Sequence, residues 1–208
     1  YDCILDFASE ILDRQKIYIA GLPPRREDEY LKKVVLNDEF GDVVFYLLPF
    51  VKPGYVRNLF HEEEIESYDK AIRCLIQREQ IDITKRNVIV SHQFYTTNGK
   101  EPERSESEII NVGGLDNVDV EAIADFDYAA LGHIHRGQSI GTAKNRYSGT
   151  MLKYSVSEEN DEKYLSMVEI GAKGEDVILH KIPLRPLRDV KRVKGQLEEV
   201  WEETELKY

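Results

Sequence analysis

Apolar residues in the first turns of the chain recur at helical spacing: Ile4, Leu5, Phe7, Ala8, Ile11 and Leu12 share one side, and Asp6, Ser9, Glu10 and Asp13 the other. That pattern predicts an amphipathic helix. A short strand at 17–20, a turn and charged loop at 21–26, and a buried strand at 43–48 follow, the last marked by β-branched and aromatic residues and stopped by Pro49 and Pro53. Residues 55–80 carry Leu59, Ile65, Tyr68, Ala71, Ile72, Leu75 and Ile76 among many charges, a helical pattern with one solvated face. A second buried strand at 87–90 runs straight into Ser91-His92-Gln93. Residues 95–118, with Asn98-Gly99 and Gly113-Gly114, read as a long loop bracketing a short element, and a helix at 120–126 follows. The strand at 128–131 ends at Gly132-His133-Ile134-His135, and further strands are expected at 139–141, 146–148, 164–170 and 177–182, with an acidic helix at 196–205. Strands alternating with helices, then a run of strands, predict a layered α/β architecture with the sheet inside.

Composition narrows this picture. A chain of 208 residues accommodates one domain, or one and part of a second. Its longest apolar run, 43–49, is strand-sized, far short of the roughly 20 residues of a membrane-spanning helix. Two cysteines, Cys3 and Cys74, make neither a disulfide framework nor a paired metal motif, which fits a reducing cytosol. With 39 Asp and Glu against 28 Lys and Arg, the net charge of −11 repels polyanions and acidic membranes, so any nucleic-acid contact must be local or metal-mediated. The chain opens at Tyr1 without an initiator Met or a basic-then-apolar leader, and a piece of a longer polypeptide is therefore expected.

Three of the five histidines, His92, His133 and His135, directly follow short apolar strands. In open α/β sheets ligands bind at the carboxyl ends of strands, so neighbouring strands would bring these imidazoles to one crevice. Imidazole is the commonest side-chain ligand of first-row metals. A lone histidine after a strand is more often a hydrogen-bonded structural residue, but Gly-His-x-His after a buried strand favours metal. If the segment is extended, His133 and His135 point the same way and can reach two adjacent ions or opposite sides of one. A mononuclear zinc centre with an open position is the alternative. His61 and His180 carry no comparable signal and read as surface residues.

Ser91-His92-Gln93, the run 126–135 ending in Gly-His-Ile-His, and Arg146-Tyr147-Ser148-Gly149 through Lys153-Tyr154-Ser155 to Glu158 strongly resemble the SbcD family, the nuclease subunit of bacterial SbcCD. Segments 5–9, 49–53 and 183–189 extend the resemblance over almost the whole chain. It implies the C-terminal part of a calcineurin-like metallophosphoesterase β-sandwich flanked by helices, with residues 1–184 as nuclease core and 185–208 as the start of a DNA-binding capping domain. It also implies two manganese ions, with His92 and His133 on one and His135 on the other. The family's Asp-x-His, Gly-Asp and Asn-His-Asp motifs belong to the part of the fold preceding this stretch, so the catalytic histidine is expected upstream of Tyr1 and only half the metal site within it. The implied activity is manganese-dependent exonuclease and hairpin-opening endonuclease cleavage of DNA ends in repair and recombination, in partnership with the SbcC ATPase and as a homodimer.

Lys181, Arg185, Arg188, Lys191, Arg192 and Lys194 set six cations against Asp189 alone, a candidate DNA-backbone strip. A solvated edge balanced by the acidic helix explains the same charges. Gln93, Arg136 and Lys153 could orient a phosphate, although structural roles suit each. The apolar face of the opening helix fits either a dimer interface or the core. A small-molecule phosphodiesterase or phosphatase, and a non-catalytic module binding DNA or a partner, are the competing functions.

Overall fold

The computed structural model describes residue 7 and residues 9–61, 64–108, 116–196, 198 and 200. Its centre is a six-stranded sheet in the order β1-β2-β3-β6-β8-β7, built from β1 (Lys32–Asp38), β2 (Gly41–Leu48), β3 (Arg86–Ser91), β6 (Tyr128–Leu131), β7 (Gln138–Ile140) and β8 (Thr142–Tyr147). The inner strands β2, β3, β6 and β8 run parallel, and antiparallel hairpin partners, β1 and β7, close the two edges. Short parallel strands β4 (Phe94–Thr96) and β5 (Asn117–Asp119) form a separate pair, and β9 (Tyr164–Glu169) with β10 (Ile178–Pro183) a third sheet. The mixed α/β class expected from the hydrophobic pattern is the one observed.

Successive residues of a strand point to opposite faces, and the inner strands bury both. On one face Val44, Tyr46, Leu48, Ile89, Ala129 and Leu131 meet a helix, α3 (Tyr68–Arg78), through its buried Ala71, Ile72, Leu75 and Ile76. Val43, Val88 and Tyr128 form the second cluster, against Val168, Ile170 and Val177 of the β9–β10 hairpin region. Full burial of a Leu or Ile contributes about 1.5–3 kcal/mol, so a two-sided sheet holds its strand ends firmly.

Several local expectations are corrected. The single helix expected over 55–80 is instead α2 (Pro53–Val56), a 3₁₀ turn (Arg57–Leu59) and α3. Ser67 restarts the helix: its extended backbone and its hydroxyl, accepting from the Lys70 amide at 3.1 Å, cap a new N-terminus. At 120–126 there is only a 3₁₀ turn, Val120–Ile123, because Phe126 must enter the core before β6 begins. Residues 17–20 take no ladder partner among the described residues, whereas β1, rich in charge and mostly exposed, lacks the alternation that would have announced it. The opening helix is present as α1 (Ser9–Asp13), with Ile11 exposed; Cys3, Ile4 and Leu5 lie outside the described residues, as does most of the expected acidic helix. Cys74 is buried, and no described helix is long and apolar enough to cross a membrane.

Candidate metal centre

Register, more than any single residue, assembles the site. Leu48 pairs with Ser91, Ser91 with Leu131, and Leu131 with Tyr147, so the parallel strands end side by side. The ladder continues one step beyond them: the His92 amide donates to the Leu48 carbonyl (3.3 Å), Gly132 to Ser91 (2.8 Å) and Ser148 to Leu131 (3.0 Å). His92 and His133 therefore emerge at the same edge. Their rings stand nearly perpendicular with centroids 5.4 Å apart. With metal–nitrogen bonds of about 2.1 Å, two imidazoles at adjacent positions on one ion have centroids roughly 5 Å apart, so the spacing of the pair, taken alone, is that of two rings on one cation.

Two backbone features set that geometry. Gly132 faces the His92 ring so closely that a β-carbon there would lie 2.6 Å from its Nδ1. His133 holds φ at +80°, in the left-handed region that costs a non-glycine residue of order 1–3 kcal/mol. The extended His133–His135 segment expected from the sequence is thus absent; a bend directs the two rings instead. Phe50 stacks parallel to the His133 ring at 6.3 Å and Phe94 meets it edge-on at 6.0 Å. Burial pulls the His133 pKa below the ordinary imidazole value, with His92, Arg104 and His135 adding to the effect and Asp116 opposing it. The shift favours the neutral ring, the form that offers a lone pair to a metal.

His135 is anchored separately. Its amide donates to Glu108 Oε1 (2.6 Å), its carbonyl accepts from Lys163 Nζ (2.9 Å) and the Thr150 amide (3.0 Å), and its Nδ1 lies 2.9 Å from Ser107 Oγ. Gly149, at φ +75°, allows this closeness, because a β-carbon there would sit 2.7 Å from the Gly137 amide nitrogen and 2.9 Å from the His135 carbonyl. Burial raises the Glu158 pKa, but the Lys163 ammonium, with Ser107 and His135, more than offsets it and holds the carboxyl below its usual value. Among the described residues no group of three or more His, Cys, Asp and Glu side chains gathers closely enough to hold an ion alone.

The other candidate residues are occupied structurally. Gln93 is wholly buried and donates to the carbonyls of Pro49 (3.3 Å) and Val51 (3.5 Å). Arg136 is bound by Glu103 and by Asp161, the latter at 2.6 Å, and Lys153 by Asp189 at 2.9 Å. His61 and His180 pair with Glu27 and Glu169 on the surface. In the basic strip Lys181 lies over the Tyr164 ring at 4.9 Å and the Arg192 amide donates to Glu159 Oε2 at 3.0 Å. Arg185, Arg188, Lys191 and Lys194 are exposed in the segment after β10. Phe50, Phe94, Ser107, Glu108 and Lys163 are the participants that sequence reasoning missed. Ser107 and Glu108 belong to a stretch that reads only as loop, although loops held by a rigid scaffold commonly carry function.

No protein-family model matches the chain. Among curated proteins it is 31% identical over 203 residues to the SbcD component of the nuclease SbcCD from Staphylococcus epidermidis, covering 96% of this chain and 50% of that protein. It is 32% identical over 208 residues to the corresponding SbcD component from Staphylococcus saprophyticus, covering 98% of this chain and 52% of the relative. The chain spans about half the length of the curated relatives it matches.

Proposed function

We propose that this chain, similar to the two SbcD proteins over 96–98% of its length, supplies one half of a two-metal phosphodiesterase centre that cleaves DNA ends and hairpins. The observation carrying this reading is the His92–His133 ring pair, 5.4 Å between centroids, at the aligned carboxyl ends of parallel strands. His92 and His133 would hold one manganese ion and His135 the other. When bound, the ions would supply an acidified water and neutralise charge developing on the phosphoryl oxygens. The chain's own residues do the preparatory work. Burial of His133, with Phe50 and Phe94 packed on its ring, favours the neutral imidazole, while Gly132 leaves room for His92.

The basic strip from Lys181 to Lys194 would contact the DNA backbone, compensating locally for a net charge of −11. We assign residues 1–184 to the nuclease core and 185–208 to the start of a capping domain. In the cell the protein would act as a homodimer with the SbcC ATPase. His133→Ala in the full-length protein is expected to abolish manganese-dependent DNA cleavage while leaving the circular dichroism spectrum unchanged; retained cleavage overturns the assignment. The 208 residues alone are expected to bind at most one ion weakly, and two tightly bound ions per chain would contradict the half-site.

A further inference from the structure

His135 has two ring nitrogens, and only one can face a metal. Which one carries the hydrogen is therefore decisive for a ligand, and partners bonded to the other nitrogen set that tautomer. We propose that Glu158 and Ser107 form a hydrogen-bond relay that keeps the hydrogen on His135 Nδ1 and presents Nε2 as a bare lone pair, making both of them positioning residues for the metal-bound state. The inference rests on His135 being a ligand.

Glu158 anchors the relay, and its side chain is fully buried. Its Oε2 accepts from Lys163 Nζ at 2.6 Å, and its Oε1 accepts from the Ser107 hydroxyl at 3.2 Å and the Tyr154 amide at 3.3 Å. A carboxylate paired with an ammonium is an acceptor only. The charged carboxylate is a stronger acceptor than an imidazole nitrogen, so the relay places the single hydroxyl hydrogen of Ser107 on Glu158, which leaves oxygen lone pairs facing His135 Nδ1 at 2.9 Å. Two lone pairs cannot share that distance, so Nδ1 must donate. Ser105 Oγ lies 3.4 Å from His135 Nδ1 but only 2.8 Å from Ser107 Oγ, and donating to the remaining lone pair of Ser107 leaves this order undisturbed.

The backbone of His135 is held by the same network. Lys163, which neutralises Glu158, also donates to the His135 carbonyl at 2.9 Å, and Glu108 fixes the amide at 2.6 Å. Among the described residues no hydrogen bond occupies Nε2. The backbone of His135 is thus held by Lys163, Glu108 and Thr150, and its proton location traces to Glu158 acting through Ser107.

Long-range proton–nitrogen NMR of the metal-free protein reads the tautomer directly. The expected result is Nδ1–H for His135 in the wild type. Ser107→Ala, at an exposed position, is expected to mix the tautomers and weaken Mn²⁺ binding about 10- to 100-fold, with Ser107→Thr restoring both. In Glu158→Gln the amide can donate to Ser107 and reverse the relay, shifting His135 toward Nε2–H; should that variant fail to fold because Lys163 loses its partner, the Ser107 pair carries the test. A wild-type Nε2–H form, or a tautomer unchanged by Ser107→Ala, overturns the relay. Nδ1–H in a full-length protein that binds no Mn²⁺ overturns the metal reading and upholds the relay, so the two failures are distinguishable.

Discussion

Replacing Gly132 by alanine tests the ring geometry with one added methyl group. The new β-carbon would lie 2.6 Å from His92 Nδ1, 3.3 Å from Cε1 and 3.6 Å from Cγ. Ordinary carbon–nitrogen contact begins near 3.4 Å, so the ring must retreat by roughly 0.8 Å or swing about its own bonds. Gly132 is not among the residues with positive φ, so alanine fits the backbone and even removes about 0.4–1 kcal/mol of unfolded-state entropy. His92 is exposed and its ring can swing toward solvent, which keeps the overpacking cost at the low end of about 1–3 kcal/mol. Stability should therefore fall by no more than about 1–2 kcal/mol. Binding is far less forgiving, because ligand atoms must stay within roughly 0.5 Å of the productive geometry. Mn²⁺ broadening of the His92 and His133 imidazole resonances, titrated beside a thermal melt, should show affinity reduced at least tenfold with a melting temperature lowered by no more than about 8 °C. Wild-type affinity in Gly132→Ala would refute the claim that these two rings share an ion.

Gly149→Ala should behave oppositely, since its β-carbon meets backbone atoms that cannot yield and φ is +75°; a loss of at least about 2 kcal/mol in urea unfolding is expected, and a neutral result would contradict the close approach. Hydrogen bonding to the buried Arg86 guanidinium holds the Asp38 carboxyl below its usual value, so this pair stabilises the fold above the unfolded carboxylate pKa of about 3.9 and ceases to do so as pH falls through the lower folded value. Asp38→Asn should accordingly be less stable than wild type at pH 7, with the gap in urea midpoint narrowing at pH 3; an equal gap at both would exclude the linkage. Neutralising Arg185, Arg188 and Lys194 together should weaken duplex binding regardless of sequence and flatten its logarithmic salt dependence by about 0.9 per lost phosphate contact, whereas an unaltered slope would mean the strip is only a solvated edge.

Much of the molecule can be read from residue order, because hydrophobic period and turn chemistry are local properties. The buried strands β2, β3 and β6, the hairpin strands β9 and β10, and the three histidines placed after strands all follow from it. What local pattern cannot reveal is where an outward-facing strand finds its partner, as with β1, or that Ser67 interrupts an otherwise continuous helical stripe. The site divides the same way. Histidine identity and strand-end position are matters of sequence, but the near-perpendicular His92–His133 pair depends on the Ser91–Leu131 register and on a positive φ at His133. Ser107 reaches His135 from 28 residues away, and Glu158 from the far side of β8. Hydrogen bonds of that kind are decided only when distant segments pack, since their energy depends on ångström-scale separations that no spacing along the chain encodes.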